Sequence, residues 1–155
     1  MAVFSSEKGN KTLRILFDEV DKLLKNTEDK VGLDEIYTVD MDIYAPCALG
    51  ATINDQTIDR LTCKVIAGGA NNQMEDEVRH GKILMEKGIV YAPDFLINAG
   101  GVINVGAEYY GEYKEETVFA QTEKIYDTCL SILTASEQQN IPAQQAAIEA
   151  AMARI

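Results

Sequence analysis

Tryptophan is absent from the 155-residue chain, histidine occurs once, at His80, and proline three times, at Pro46, Pro93 and Pro142. A lone histidine builds neither a Cys/His zinc cluster nor a His-Glu-x-x-His helix. The three cysteines, Cys47, Cys63 and Cys129, never fall in a Cys-x-x-Cys spacing. An odd count so widely spread argues against a disulfide framework and a structural zinc site, and for a reducing, cytoplasmic setting. Asp40-x-Asp42 lacks the glycine and glutamate of a calcium loop, so no metal ligand set is expected. Basic residues are scarce: 14 Lys and Arg stand against 25 Asp and Glu, a net charge of −11. That balance repels phosphate backbones, and no basic patch relieves it, which excludes nucleic acid as a partner. No stretch approaches the ~20 apolar residues of a membrane span. The polar start, Met1 to Lys11, lacks the apolar core of a signal peptide, so the sequon Asn10-Lys11-Thr12 carries no weight.

What is present is the profile of a globular protein, 46% apolar and 25% charged. Leu13, Leu16, Phe17, Val20 and Leu24 recur at spacings of three and four and predict an amphipathic helix over Thr12–Asn26; a strand over Ile15–Phe17 is the weaker alternative. Asp34–Tyr37 reads as a short helical turn. Three apolar runs then alternate with helical segments. Asp42–Ala45 is stopped by Pro46, Lys64–Ala67 by Gly68-Gly69, and Ile89–Ala92 by Pro93. Asn54 or Asp55 is placed to cap a helix running to Leu61, and Glu75–Lys87 reads as a helix ended by Gly88. Strands joined by such short helical connections form a parallel sheet with right-handed crossovers. Beyond them come helices over Gly100–Tyr110 and Glu115–Gln139, the latter with Val118, Ile125, Cys129 and Leu133 on one side. A last helix follows Pro142. The expected fold class is α/β: a partial Rossmann-like three-layer domain with a short parallel sheet of about three strands and C-terminal helices.

Ligands of an open parallel sheet bind beyond the carboxyl ends of its strands. Three loops lie there: Pro46-Cys47-Ala48-Leu49-Gly50, Gly68-Gly69-Ala70-Asn71-Asn72-Gln73, and Asp94 followed by Asn98-Ala99-Gly100-Gly101. Small residues admit a flat ligand close to the backbone, and carboxamides can bond an amide or a ribose hydroxyl. Any one such loop is equally well a tight turn; three at equivalent positions are more specific.

The run Asp42-Ile43-Tyr44-Ala45-Pro46-Cys47-Ala48-Leu49-Gly50-Ala51 resembles the strand-and-loop signature of the Glu/Leu/Phe/Val dehydrogenases. Val65–Gln73, Tyr91-Ala92-Pro93-Asp94 and Ile97–Val105 follow in that family's order. With Arg79-His80-Gly81-Lys82, the similarity is strongest to its leucine-acting members, from about Leu33 to Ile155. The resemblance implies NAD-dependent oxidative deamination of a branched-chain L-amino acid to the 2-oxo acid. It implies three parts: an N-terminal segment with an amphipathic helix (1–32), the second half of a Rossmann-like NAD-binding domain (33–111), and C-terminal helices packing on it (112–155). Ala48, Leu49 and Asn71 would lie along the nicotinamide and its ribose, with Asn72 and Asn98 as nearby polar contacts. Val102 and Val105 match the wall that receives the substrate side chain, where burying a branched group contributes ~1.5–3 kcal/mol. Spacing alone favours ordinary helix packing for both valines.

The departures are as specific. No Gly-x-Gly-x-x-Gly turn occurs, and Gly100-Gly101 with Gly106 has the wrong spacing; Ala107 stands where a P-loop needs lysine. No acidic residue can be assigned to the adenosine ribose. The family's catalytic lysines have no counterpart, since Lys64, Lys82, Lys87, Lys114 and Lys124 read as solvated surface groups. No catalytic residue is therefore assigned. His80, in a charged helix, reads as exposed, and Cys47 as a small buried residue lining the cleft. Two readings stand. In one the chain is a truncated part of an amino-acid dehydrogenase, inactive until an N-terminal half completes it. In the other it is a non-catalytic remnant serving as an oligomerising or weak nucleotide-binding domain. An unpaired sheet edge predicts a homo-oligomer in either case.

Overall fold

The computed structural model describes residues 31–32, 34–111 and 113–154. The helix expected over Thr12–Asn26 lies outside the described residues. The chain divides into two compact units, and the second, Tyr37–Ile155, carries the architecture that follows.

Three parallel strands, β1 (Ile43–Tyr44), β2 (Val65–Ile66) and β3 (Val90–Tyr91), form one sheet in the order β1-β2-β3. Ile43 lies beside Val65 and Val65 beside Val90; Tyr44, Ile66 and Tyr91 form the next row. Successive side chains of a strand point to opposite faces, so each row belongs to one face. The row Tyr44, Ile66 and Tyr91 is buried, whereas Ile43 and Val90 are 60% and 46% exposed. Only the buried row anchors the sheet to the core of Ile53, Ile58, Leu61, Met74, Leu84 and Ile89.

Among the described residues five helices surround this core: α1 (Glu77–Glu86), α2 (Asp94–Ile97), α3 (Gly100–Tyr109), α4 (Glu115–Gln139) and α5 (Ala143–Met152). α1 starts two residues later than expected because the Asp76 side chain accepts hydrogen bonds from the N–H groups of Val78 (3.1 Å) and Arg79 (2.9 Å). That satisfies donors the first turn cannot pair internally. Gly88, at φ 71°, ends it in the left-handed conformation that costs glycine least. α1 packs on β3, and α5 packs on both α1 and β3. α4 packs on α2, α3 and α5, and its contact with α5 centres on Ile132, Ala146 and Ala147. The alanines let the two helices approach closely, as the alanine-rich tail suggests.

Residues 54–61 depart from expectation. Instead of a helix there is a single 3-10 turn, Ile58–Arg60. Asn54 Oδ1 accepts from the Gln56 N–H at 2.9 Å, and Thr57 Oγ1 donates to the Thr52 carbonyl at 2.7 Å while accepting from the Asn54 N–H at 3.1 Å. Short polar side chains here take the backbone groups that a helix ladder would use.

Ile66→Ala, at the fully buried centre of the sheet, is expected to cost about 2–5 kcal/mol in urea unfolding. Val90→Ala, on the open face of the same sheet, should stay below about 1 kcal/mol. Equal losses would show that the sheet is anchored on both faces.

Candidate functional site

All three loops expected to carry chemistry emerge from the same end of the sheet, and the backbone binds the first two together. Beyond β1 and β2 the Ala70 N–H donates to the Pro46 carbonyl (3.0 Å), the Ala51 N–H to Asn72 O (2.7 Å) and the Ile53 N–H to Gln73 O (3.0 Å). A further parallel bridge joins Ile53 and Met74. The approach is close enough to dictate residue type. A Cβ on Gly68 would overlap the Pro46 backbone, and one on Gly50 would stand 2.9 Å from Asn71 O. Ala51 and Asn72 face each other at φ 54° and 53°. Asparagine tolerates that conformation, but alanine in it stores about 1 kcal/mol of strain, repaid by the pairing around it.

The third loop joins through its carboxamide. Asn98, the residue that ends α2, donates from Nδ2 to Asn71 Oδ1 at 2.6 Å. Its Nδ2 also lies 3.5 Å from the Gly69 carbonyl. Asn71 and Asn72 are exposed, Asn98 is half-buried, and Ala48 and Leu49 are exposed, Leu49 by 74%. Of the residues singled out from sequence, Asn71 and Asn98 are thus brought into contact. Asn72 turns the backbone between loops, and Ala48 and Leu49 line the solvent side of the first.

Val102 and Val105 are 70% and 58% exposed on α3, so helix packing does not account for them. With Asn98 and Tyr109 they follow spacings of four, three and four, one face of the helical path. Tyr109 is 83% exposed. The same helix turns Asn104 inward, where its Nδ2 donates to Glu108 Oε1 at 2.9 Å.

Two residues were placed differently by sequence. His80 is fully buried, not exposed, and both its ring nitrogens are engaged. Nδ1 accepts from the Asp76 N–H at 3.0 Å, so the proton sits on Nε2, 3.1 Å from Asp55 Oδ1. It fastens the first turn of α1 to the 54–57 turn and has no nitrogen left for chemistry. Arg79 Nη2 completes the cluster on Asp55 Oδ2 at 2.8 Å. Cys47 is exposed, not buried, and its Sγ accepts from the Gly69 N–H at 3.3 Å. The small residues of both loops leave nothing large enough to cover it.

Two site residues carried no sequence signal as individuals. Gln73 is fully buried; its Nε2 donates to the carbonyls of Gly68 (2.7 Å) and Ala70 (2.9 Å). Asp94 is 4% exposed, and its carboxylate accepts from the N–H groups of Gln73 (3.2 Å) and Phe95 (2.8 Å). Burial, and then the nearby Asp94 charge, push the Tyr91 phenol well above its ordinary range.

All five described lysines are exposed, and no group of three His, Cys, Asp or Glu side chains among the described residues could hold a metal ion. No helix among them is long and apolar enough to cross a membrane.

A three-stranded parallel sheet with helices and converging polar loops at its carboxyl end places the chain in the α/β class. The Glutamate/Leucine/Phenylalanine/Valine dehydrogenase family model matches residues 6–155, and the chain belongs to that family. It is 57% identical over 122 residues to leucine dehydrogenase of Thermoactinomyces intermedius, covering 79% of this chain and 33% of that protein. It is 50% identical over 138 residues to L-tryptophan dehydrogenase of Nostoc punctiforme, covering 89% and 38%. The crystal structure of L-tryptophan dehydrogenase from Nostoc punctiforme superposes with a TM-score of 0.74 at 49% identity, covering 77% of this chain and 36% of that one. Hetero-hexameric glutamate dehydrogenase from Thermus thermophilus, at 16% identity and a TM-score of 0.68 over 88% of this chain and 35% of that one, shares the fold. The chain spans about a third of the length of the curated relatives it matches.

Two measurements check the site. The His80 hydrogen bond, followed by Arg79, holds the Asp55 carboxyl below its ordinary range; backbone N–H groups and Arg79 do the same for Asp76. A depressed folded-state value contributes stability that is present above the unfolded carboxyl value and lost as pH falls through the folded one. Thermal stability should therefore fall on acidification below about pH 4, and Asp55→Asn should flatten that slope. Among the thiols, burial protects Cys63 and raises both it and Cys129. A disulfide reagent should titrate one fast thiol in the native chain, absent from Cys47→Ser; a slow Cys47 would contradict its exposure.

Proposed function

We propose that this chain builds one wall of the nicotinamide and substrate cleft of an NAD-dependent dehydrogenase acting on apolar, branched-chain L-amino acids, converting them to 2-oxo acids. Family membership supports the amino-acid dehydrogenase class. The observation that carries the cleft is the 2.6 Å bond from Asn98 to Asn71, which joins the loops after β2 and β3. Residues 33–111 in this reading are the second half of a Rossmann-like NAD-binding domain, and the helices of 112–155 pack on it. Residues 1–32 are the N-terminal segment in the same reading.

The donor set fits the nicotinamide half of the cofactor. Asn71, Asn72 and Asn98 offer carboxamides that match an amide and a ribose hydroxyl, and the exposed residues Ala48 and Leu49 offer an apolar surface against a flat ring. When bound, the nicotinamide supplies the hydride acceptor. Ala48, Leu49 and the asparagines would hold and orient it, and Val102 and Val105 would meet the aliphatic side chain of the substrate. The adenine half is not served in the same way, because the chain has no Gly-x-Gly-x-x-Gly turn. Nor does any described lysine have the desolvated setting that a base near neutral pH requires. The chain by itself thus binds cofactor weakly and does not turn over; it acts as part of a soluble, cytoplasmic homo-oligomer completed by a further, N-terminal half.

The test is calorimetric and kinetic. The chain should bind NADH weakly, and Asn71→Ala should weaken that binding further by about tenfold, the cost of one net hydrogen bond. Leucine-dependent NAD reduction should be undetectable. Robust turnover would overturn the incomplete-enzyme reading, and absence of any NADH binding would favour a purely structural, self-associating remnant.

A further inference from the structure

We infer that the buried pair Gln73–Asp94 is a positioning element: one carboxylate sets the register between the loop that carries Asn71 and the short helix that ends in Asn98. Its consequence for cofactor binding rests on the cleft reading above; its geometry does not.

Asp94 is the only buried carboxylate among the described residues. A carboxylate removed from water must be met by donors, and among the described residues this one forms no salt bridge. Beside the Tyr91 phenol, which shares a hydrogen bond with it, two backbone N–H groups serve, one from the second loop and one from α2. The Gln73 N–H lies two residues from Asn71, and the Phe95 N–H belongs to the first turn of α2. From the same residue the Asp94 carbonyl accepts the Asn98 N–H at 3.0 Å. The backbones on either side of the Asn98–Asn71 contact are thus tied to one residue.

Gln73 extends the tie beneath the second loop. Its Nε2 holds the carbonyls of Gly68 and Ala70, which bracket Gly69, the residue whose own carbonyl lies against Asn98. Two glycines and an αL asparagine make this loop conformationally free in isolation. A buried glutamine bonding two of its carbonyls removes that freedom. Gln73 Oε1 is left buried without a partner, a cost retained in favour of the two donated bonds. Neither residue is exposed enough to touch a ligand, so the pair acts through Asn71 and Asn98.

The experiment uses the full chain with two variants and a control. Asp94→Asn keeps the size but sets an NH2 group against a backbone donor; Gln73→Met keeps the stem and removes both donors. Ile58→Val, a core truncation outside the loops, controls for lost stability alone. The readouts are the Asn71 and Asn98 side-chain amide resonances and the NADH affinity. In both variants the Asn98 amide should move toward its solvated position and exchange about tenfold faster, with NADH binding about tenfold weaker, because a displacement of ~1 Å is enough for losses of this order. Ile58→Val should change neither. If Asp94→Asn does not fold, Gln73→Met decides. Unchanged Asn98 resonances in a folded variant would overturn the inference, whatever NADH does. Should the wild-type chain bind no NADH, the cleft reading falls, and the amide signature still decides the positioning role.

Discussion

Strands of two residues cannot hold a parallel sheet together, and the molecule meets that constraint by continuing backbone pairing into the loops beyond the strand ends. Pro46 with Ala70, Ala51 with Asn72, and Ile53 with Gln73 and Glu75 extend the β1–β2 pairing well past Tyr44 and Ile66. Each such bond is worth only about 0.5–1.5 kcal/mol net, but leaving the same groups buried and unpaired would cost more. The loops are consequently as much a part of the scaffold as the strands. Only glycine fits at Gly68, and Ala51 accepts an unfavourable φ, because the backbones must lie this close.

That constraint also explains why the polar groups at this end are ordered. Asn71 and Asn98 are carried on segments whose backbones are fixed from below, by Gln73 and Asp94, and from the side, by the first loop. A carboxamide on a free loop would spend rotamer entropy on every contact. Here that entropy is lost on folding, through the Asn98–Asn71 bond. Preorganised dipoles of this kind are what a binding loop needs before it can be selective.

Much of this was legible in the sequence, and the limits have physical causes. The 25-residue helix Glu115–Gln139 follows directly from its spacing, and Gly88 ends α1 because a left-handed residue is needed there. The positions of the strands and the three loops at their carboxyl ends follow from apolar runs stopped by Pro46, Gly68-Gly69 and Pro93. The 54–61 segment misleads because Asn54 and Thr57 satisfy either a helix cap or a turn, and only tertiary packing of Ile58 chooses. His80 sits among charged neighbours, which local composition reads as surface; its burial depends on Asp55, 25 residues away in sequence. Cys47 is the reverse case, a residue type usually buried but placed beside glycines that cannot cover it. Gln73 and Asp94 are polar by composition and internal by topology, a distinction no local pattern carries.

The outward face of α3 presses the same point from the energetic side. A structural helix in a chain of this size should hide its valines, since each buried branched side chain contributes about 1.5–3 kcal/mol. α3 instead buries Asn104 and leaves Val102, Val105 and Tyr109 in solvent. Asn104 turns inward at little cost because Glu108, one turn on, accepts its amide. The stabilisation that α3 forgoes is available to whatever apolar surface covers that face, and the face continues directly from Asn98. In the proposed reading, the polar pair at one end would face the reacting centre and the unburied aliphatic stripe beyond it the side chain of the substrate. Packing among the described residues gives no reason for that arrangement, which is why the proposed reading assigns this face of α3 to a ligand instead of to the core.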